Sequence, residues 1–402
     1  MKLSEELIYR GMAGQHTFDA PTDLDKKKHK FYFGVDPSDS SMTIGNLAAL
    51  MMCRVFVRHG YDLTLLVGGG TGLIGDPKMD KERPIKPLEE IERNAKGIVQ
   101  QFNQLMGSKI KVVNNYDWLS GLGFFQFSRE VGRHFSMTQL LDRDFVKART
   151  GEGGSGLSVA EFSYSLLQGY DFLHLYRTYG IDLQLCGADQ IGNCMSGVHL
   201  INKSENARGY VWSCPLVIDK VSGRKFGKSE GNAVWLDPER TSPYEYYQFW
   251  LNTNDESVGD LLKIYTEIEP TEINEILSLH EKNPGARGAQ KALALAATEI
   301  LHGRETAVNV ARVSNVLFGG ENVRELPAEG LKLLSEVIPT VPKNITAVEA
   351  LVKSGLATSN GEALRLIRGN AISVSGTKIS ADTKITELSL IKKGKNQFVI
   401  VK

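Results

Sequence analysis

Residues 30–67 read KFYFGVDPSDSSMTIGNLAALMMCRVFVRHGYDLTLLV. The segment 30–35 is aromatic and apolar, a buried-strand pattern that ends in Asp36-Pro37-Ser38. From 44 to about 59 the period becomes helical. Leu47, Leu50, Met51 and Val55 share one face, and Gly60 is placed as a stop. Residues 62–67 (DLTLLV) form a second strand and run into Gly68-Gly69-Gly70-Thr71-Gly72. The same alternation continues with a helix over 88–106, a strand over 109–113, a helix over 161–178 and a strand over 183–186. Strands that alternate with helices build a parallel sheet covered on both faces, so the first half is expected to be an α/β, Rossmann-like domain.

Outside this alternation the character of the chain changes. Residues 150–158 (TGEGGSGLS) are too rich in glycine for a regular element, and 210–218 is strand-like. From 242 to about 317 the pattern is almost wholly helical. A connector with Pro327, Pro339 and Pro342 then leads to a small α+β tail. No run approaches the ~20 apolar residues that span a bilayer. The first twelve residues include Glu5 and Glu6 and lack the apolar stretch of a signal peptide. Four cysteines without CxxC spacing indicate neither zinc nor disulfides, and the expected compartment is the cytoplasm. The 402 residues carry 47 basic and 47 acidic side chains, but residues 344–402 hold nine Lys/Arg against four Asp/Glu. A tail of net +5 on a body of net −5 suits a polyanion partner, although small domains also acquire charge by chance.

Four clusters can carry chemistry. In the first, the junction from Asp36 to Asn46 sets hydroxyls and carboxylates before a helix whose first turn holds Gly45; unpaired N–H groups there suit phosphate, or the residues are ordinary caps. The second, Gly70-x-Gly72-x-x-Gly75, matches the dinucleotide fingerprint, but the next strand ends in Asn114-Asn115 where an acidic residue belongs. The third, Tyr164, Gln168 and Asp171, falls within roughly 60° on one helix face, either a reader of a small polar ligand or a solvated stripe. The fourth, Lys225-Phe226-Gly227-Lys228-Ser229, is a loop whose lysines can clamp a phosphate.

Taken in order, DP-x(5)-TIGN, GGxTGLIGDP, YxxxQxxD, ADQxGN and KFGKS resemble the bacterial tyrosyl-tRNA synthetases, which are class I aminoacyl-tRNA synthetases, over the full chain. KFGKS stands for the family's KMSKS motif. The tail, with Arg365, Arg368 and Gly376, is similar to a small RNA-binding domain shared with a ribosomal small-subunit protein. The resemblance implies a catalytic domain over 1–225, the lysine loop and a helical domain over 226–325, a linker over 326–343 and the RNA-binding domain over 344–402. It implies that Tyr32 and Asp171 bond a substrate phenol, that Asp76, Tyr164 and Gln168 hold its ammonium group, and that Gln190 approaches the reacting end. ATP would lie over Gly45 and Asn46, with Asp36 and Ser38 at its edge and Asp189 near the ribose. Lys225, Lys228 and Ser229, with Lys81 and Arg83, would close on the pyrophosphate. Mg²⁺ would accompany ATP, with no side chain identified as its ligand. Arg365, Arg368, Lys378, Lys392, Lys393 and Lys395 would contact tRNA phosphates, and a homodimer is expected.

Thr43 departs from the pattern, because the family's HIGH motif usually opens with histidine. A lost transition-state donor costs about 10²–10³ in rate. A second reading is therefore an impaired paralogue kept for RNA binding. Ile191 stands where the family often has tryptophan. A nicotinamide oxidoreductase would explain the glycines, but neither the lysine loop nor the basic tail.

Overall fold

A computed structural model describes residues 1–77, 83–227 and 233–402. The chain divides into two compact units. One comprises residues 1–241 and 253–289, the other 242–252 and 290–402.

The first unit is built on five parallel strands: β1 (Phe31–Val35), β2 (Leu63–Val67), β3 (Lys111–Asn114), β4 (Leu183–Gly187) and β5 (Tyr210–Cys214). Their order is β3-β2-β1-β4-β5, so the chain winds outward in both directions from the β1/β4 seam. A doubly wound sheet binds ligands beyond the carboxyl ends of its strands at such a reversal. β2 is buried throughout and β3 is a half-exposed edge, as their positions require.

Strand ends deviate from the sequence pattern for local reasons. β3 starts at 111 rather than 109 because the Ile110 N–H is taken by Asn103 Oδ1 at 3.0 Å. β5 stops at Cys214 because Pro215 has no N–H to extend a ladder. The helix expected over 161–178 runs Val159–Tyr179. Ser158 caps it by accepting from the Glu161 N–H, and Gly180 closes it at φ 65°. Between β3 and this helix lie four short helices, Tyr116–Leu119, Phe124–Glu130, Met137–Leu141 and Asp144–Thr150, that the sequence pattern did not announce.

In the second unit, helices Pro243–Leu251, Arg304–Ser314 and Ala328–Val337 accompany the tail. The stretch read as a linker thus carries a helix, and Leu334 on it is fully buried. The tail packs helices Ala347–Lys353 and Asn360–Arg368 on a five-stranded sheet. Its last strand, Gln397–Val401, shows period-2 logic: Val399 and Val401 fill the tail's own core, while Phe398 and Ile400 face the helices. Among the described residues no helix is long and apolar enough to cross a membrane.

Candidate active site

At the β1/β4 seam the ends of the strands deliver polar side chains into buried surroundings. Asp36 directly follows β1 and Gly68 directly follows β2, where a Cβ would overlap the Asp36 carboxylate; this is why glycine follows the strand. Asp36 accepts from Thr71 Oγ1 and from the Tyr164 hydroxyl, both at 2.7 Å. Thr71 Oγ1 in turn accepts from Asn115 Nδ2 at 2.9 Å. The same amide nitrogen donates to Asp171 Oδ2 at 2.9 Å, and Trp118 Nε1 donates to Asp171 Oδ1 at 2.8 Å. Trp118 is held by His174, whose ring stacks on it at 4.2 Å. A continuous chain of bonds therefore links Tyr164, Asp36, Thr71, Asn115, Asp171 and Trp118.

The electrostatics follow from burial. Asp171 is 1% exposed, and desolvation pushes its carboxyl up to about 7 against the two bonds that favour its charge. Desolvation likewise pushes Asp36 up to about 6, opposed by its bonds from Thr71 and Tyr164. Asp76 is also raised by burial, while bonds from Gln190 Nε2 at 2.9 Å and Asn193 Nδ2 at 3.0 Å pull it back. Burial first, then the neighbouring charges, lift the Tyr164 and Tyr32 phenols well above the ordinary tyrosine range. Among the described residues, the buried Tyr32 hydroxyl and Gln168 Oε1 at this place have no partner. Gln168 spends its Nε2 on the Cys194 sulfur at 3.8 Å. The Tyr164, Gln168, Asp171 stripe is thus a lining of the interior and not a solvated face.

A second recess adjoins the first turn of the helix Ile44–Arg58 and is lined by Gly45, Ala48, Gly187, Asp189, Val217 and Lys225. The lysine loop reaches it through Gly227, whose φ of +81° is a glycine conformation. A Cβ on Gly227 would come within 3.1 Å of Ile44 and 3.3 Å of the Gly45 nitrogen, so the two motifs touch at backbone level. Asp189 is exposed at the recess, and Ser38 and Asn46 are exposed beside Asp36 and Gly45 respectively. Thr43 is half-buried and directs both its N–H and its hydroxyl to Asn46 Oδ1.

Arg83 lies beside Asp36 and Asp76, whose carboxyls its charge lowers. Arg83 Nε donates to the Asp76 carbonyl at 2.6 Å. Lys81, Lys228 and Ser229 lie outside the described residues. On the tail, Arg365, Arg368, Lys378 and Lys395 are exposed, Lys392 is half-buried, and Lys393 donates to the Leu356 carbonyl at 2.6 Å.

Sequence reasoning missed Asn115 and Trp118, the two donors to Asp171, and the hold of Asn193 on Asp76. The available signal was Asn114-Asn115 at the end of a strand. The dinucleotide reading fails at the same place, because Asn115 stands there as a donor to a buried carboxylate. The glycines moreover lead into the short turn Thr71–Leu73 and not directly into the long helix on whose N-terminus a dinucleotide pyrophosphate rests.

A family model described as tRNA synthetases class I (W and Y) matches residues 24–319. The tyrosine–tRNA ligase of Anaeromyxobacter dehalogenans is 38% identical over 419 residues, covering 100% of this chain and 99% of that protein. That of Bacillus pumilus is 38% identical over 422 residues with the same coverage. Among solved structures, a C-terminally truncated mitochondrial tyrosyl-tRNA synthetase of Aspergillus nidulans superposes with a TM-score of 0.71 at 28% identity, covering 79% of this chain and 94% of that one. With its doubly wound sheet, its buried acids at the strand reversal and this full-length similarity, the chain belongs to the class I tRNA synthetases of the tryptophan and tyrosine group.

Proposed function

We infer that this chain is a tyrosine–tRNA ligase, which joins L-tyrosine to ATP as tyrosyl-adenylate and then transfers the tyrosine to tRNA. The observation that carries the choice of amino acid is the buried Tyr32 hydroxyl, unpartnered and close enough to Asp171 for that charge to raise it. A substrate hydroxyl arriving there donates to Asp171 and accepts from Tyr32. Phenylalanine would leave the Tyr32 hydroxyl buried and unpaired, at about 1–3 kcal/mol, and would leave Asp171 with only its bonds from Asn115 and Trp118. The impaired RNA-binding alternative is not favoured, since the full-length relatives are tyrosine–tRNA ligases.

The remaining roles follow as proposals. Asp76, the Tyr164 hydroxyl and the free Gln168 Oε1 receive the substrate ammonium, whose charge favours the ionised forms of Asp36 and Asp76. Gln190, held on Asp76, lies toward the carboxylate end. ATP occupies the recess over Gly45, with Asp36, Ser38 and Asn46 at its edge and Asp189 toward the ribose. One tyrosine carboxylate oxygen attacks the α-phosphorus, and the bond to the pyrophosphate oxygen breaks. Lys225, with Lys228, Ser229, Lys81 and Arg83, is proposed to stabilise that leaving charge, so catalysis is largely positioning and electrostatics. A hydroxyl of the terminal tRNA adenosine then attacks the tyrosyl carbonyl, and AMP leaves. Mg²⁺ is proposed to arrive on the ATP phosphates, whose oxygens it prefers.

The exposed tail cations Arg365, Arg368, Lys378 and Lys395, with Lys392 and Lys393, are proposed to meet tRNA phosphates. The catalytic, helical, linker and tail boundaries at 225, 325 and 343, and a cytoplasmic location, are proposed with them. A homodimer is proposed on a further ground: Phe124, Phe125, Met137, Leu141 and Val159 are all exposed apolar residues of one short segment. Phe125→Asp should shift the protein toward monomer in sedimentation. The reaction itself is tested by tyrosine-dependent ATP–pyrophosphate exchange. Exchange with tyrosine and little with phenylalanine is expected, and equal exchange with both would refute the Tyr32/Asp171 assignment.

A further inference from the structure

The connection between β1 and the helix Ile44–Arg58 runs from Asp36 past Ser38, and its residues 37–42 belong to no helix or strand. Their place is set from outside, by one stripe of the helix Leu88–Met106. Asn94 Nδ2 donates to the Pro37 carbonyl at 3.1 Å. One turn on, Gly97 lies against Ser40, and a Cβ there would stand 2.1 Å from the Ser40 carbonyl oxygen. After a further turn, Gln101 Oε1 accepts from the Met42 N–H at 2.9 Å, while its Nε2 donates to Ser41 Oγ at 2.8 Å. Ser41 Oγ in turn donates to the Met42 carbonyl at 2.9 Å. A backbone N–H can only donate, so the orientation of the Gln101 amide is determined. Asn94, Gln101 and Ser41 are all buried.

This stripe spends helix stability on the loop. Ile91, Ile98, Phe102 and Leu105 fill the same buried face, where an apolar residue at 94 or 101 would be the ordinary choice. A buried amide costs desolvation unless it is bonded, and among the described residues Gln101 is bonded to Ser41 and Met42 alone. Glycine at 97 gives up helix propensity for close approach to the Ser40 backbone. We propose that Asn94, Gly97 and Gln101 are positioning residues for the adenylate-forming step. They fix residues 37–42, and so the separation between tyrosine held at Asp76 and Asp171 and ATP held beyond Ser38. None of the three touches a substrate. This rests on the ligase reading above.

The test combines ATP–pyrophosphate exchange with calorimetric tyrosine binding, for Gly97→Ala, Gln101→Met, Ser41→Ala and the Gln101→Met, Ser41→Ala pair. Lys96→Gly, on the exposed side of the same helix, is the stability control. Gly97→Ala favours the helix but forces the loop back by about 1 Å, and a misplacement of that size costs about 10²-fold in kcat/KM for ATP. Gln101→Met keeps the volume and removes both bonds, and should lower kcat/KM for ATP about tenfold. The double variant should be no slower than Gln101→Met, because the two residues act through one bond network. Tyrosine Kd should be unchanged throughout, and Lys96→Gly should lower the unfolding temperature without changing kcat/KM for ATP. An unchanged kcat/KM for ATP in Gly97→Ala and Gln101→Met, whatever their unfolding temperatures, would overturn the proposal and reduce the stripe to packing. A tyrosine Kd that weakens as much as kcat/KM for ATP would overturn it too. A wild type without exchange would instead overturn the ligase reading, and this proposal with it.

Discussion

Raising the acidity of the medium from pH 8 to pH 6 should weaken tyrosine binding by about an order of magnitude. Asp171 must be ionised to accept a phenol, yet burial holds its carboxyl at about 7 in the empty pocket. For one group that must lose its proton before binding, the apparent Kd is about twofold above its limit at pH 7 and about elevenfold above it at pH 6. Asp36, at about 6, adds roughly a further factor of two at pH 6. Neither the ammonium nor the carboxylate of tyrosine titrates in this window, so the effect belongs to the protein. Calorimetric titration with tyrosine alone, at half-unit intervals from pH 6 to 8, measures it directly. Repeating the pH 7 titration in buffers of different ionisation enthalpy should reveal release of about half a proton from Asp171. Trp118→Phe removes one donor to the charged form, a bond of about 1.5–3 kcal/mol, and should move the midpoint up by about one to two pH units. A Kd that is flat between pH 6 and 8, or a midpoint that stays put in Trp118→Phe, would refute the account of Asp171 as the buried acceptor.

Three further outcomes follow from other parts of the molecule. Tyr32→Phe should weaken tyrosine binding about 10- to 100-fold while leaving the melting temperature of the empty protein unlowered, because its hydroxyl has no bond to lose; calorimetry and pyrophosphate exchange read the two effects. Arg149 and Glu161, both about 2% exposed, form a bidentate pair at 3.0 and 3.2 Å, so Arg149→Met should cost about 3–5 kcal/mol in denaturant unfolding, and Arg149→Met with Glu161→Leu should recover most of it. Arg365→Glu with Arg368→Glu should raise the KM for tRNA and flatten its salt dependence, with pyrophosphate exchange unchanged.

The sheet was legible because its cause is local. Residues 30–67 contain a strand, a helix and a strand whose periods can be counted, and β1, β2 and the helix Ile44–Arg58 fall within two residues of that reading. The four short helices between 116 and 150 were not legible, since elements of four to seven residues are too short to display a period. The Tyr164, Gln168, Asp171 stripe could be read as one face of a helix, but not as a buried one, because periodicity reports which residues share a face and not what covers it. What covers it is Asn115 and Trp118, 56 and 53 residues from Asp171 in sequence. Contacts at that separation are decided by strand order, and β3 reaches the site only because β2 places it there.

The same geometry supports the proposal that this pocket takes a zwitterion with a phenol. Asp36, Asp76 and Asp171 are gathered at one strand reversal, and among the described residues none of them forms an ion pair with lysine or arginine. Their hydrogen bonds come from neutral groups, Thr71, Tyr164, Asn115, Trp118, Gln190 and Asn193; the nearby Arg83 charge lowers Asp36 and Asp76 only in part, and burial still leaves all three carboxyls raised. Neutral donors stabilise a carboxylate without cancelling its field, so the pocket retains an appetite for positive charge. The unpartnered Gln168 Oε1 and Tyr32 hydroxyl add an acceptor that an ammonium can satisfy and a donor that a phenolic oxygen can satisfy. An arginine paired directly with these carboxylates would relieve them, so in the proposed function the substrate ammonium supplies the charge that their neutral partners do not.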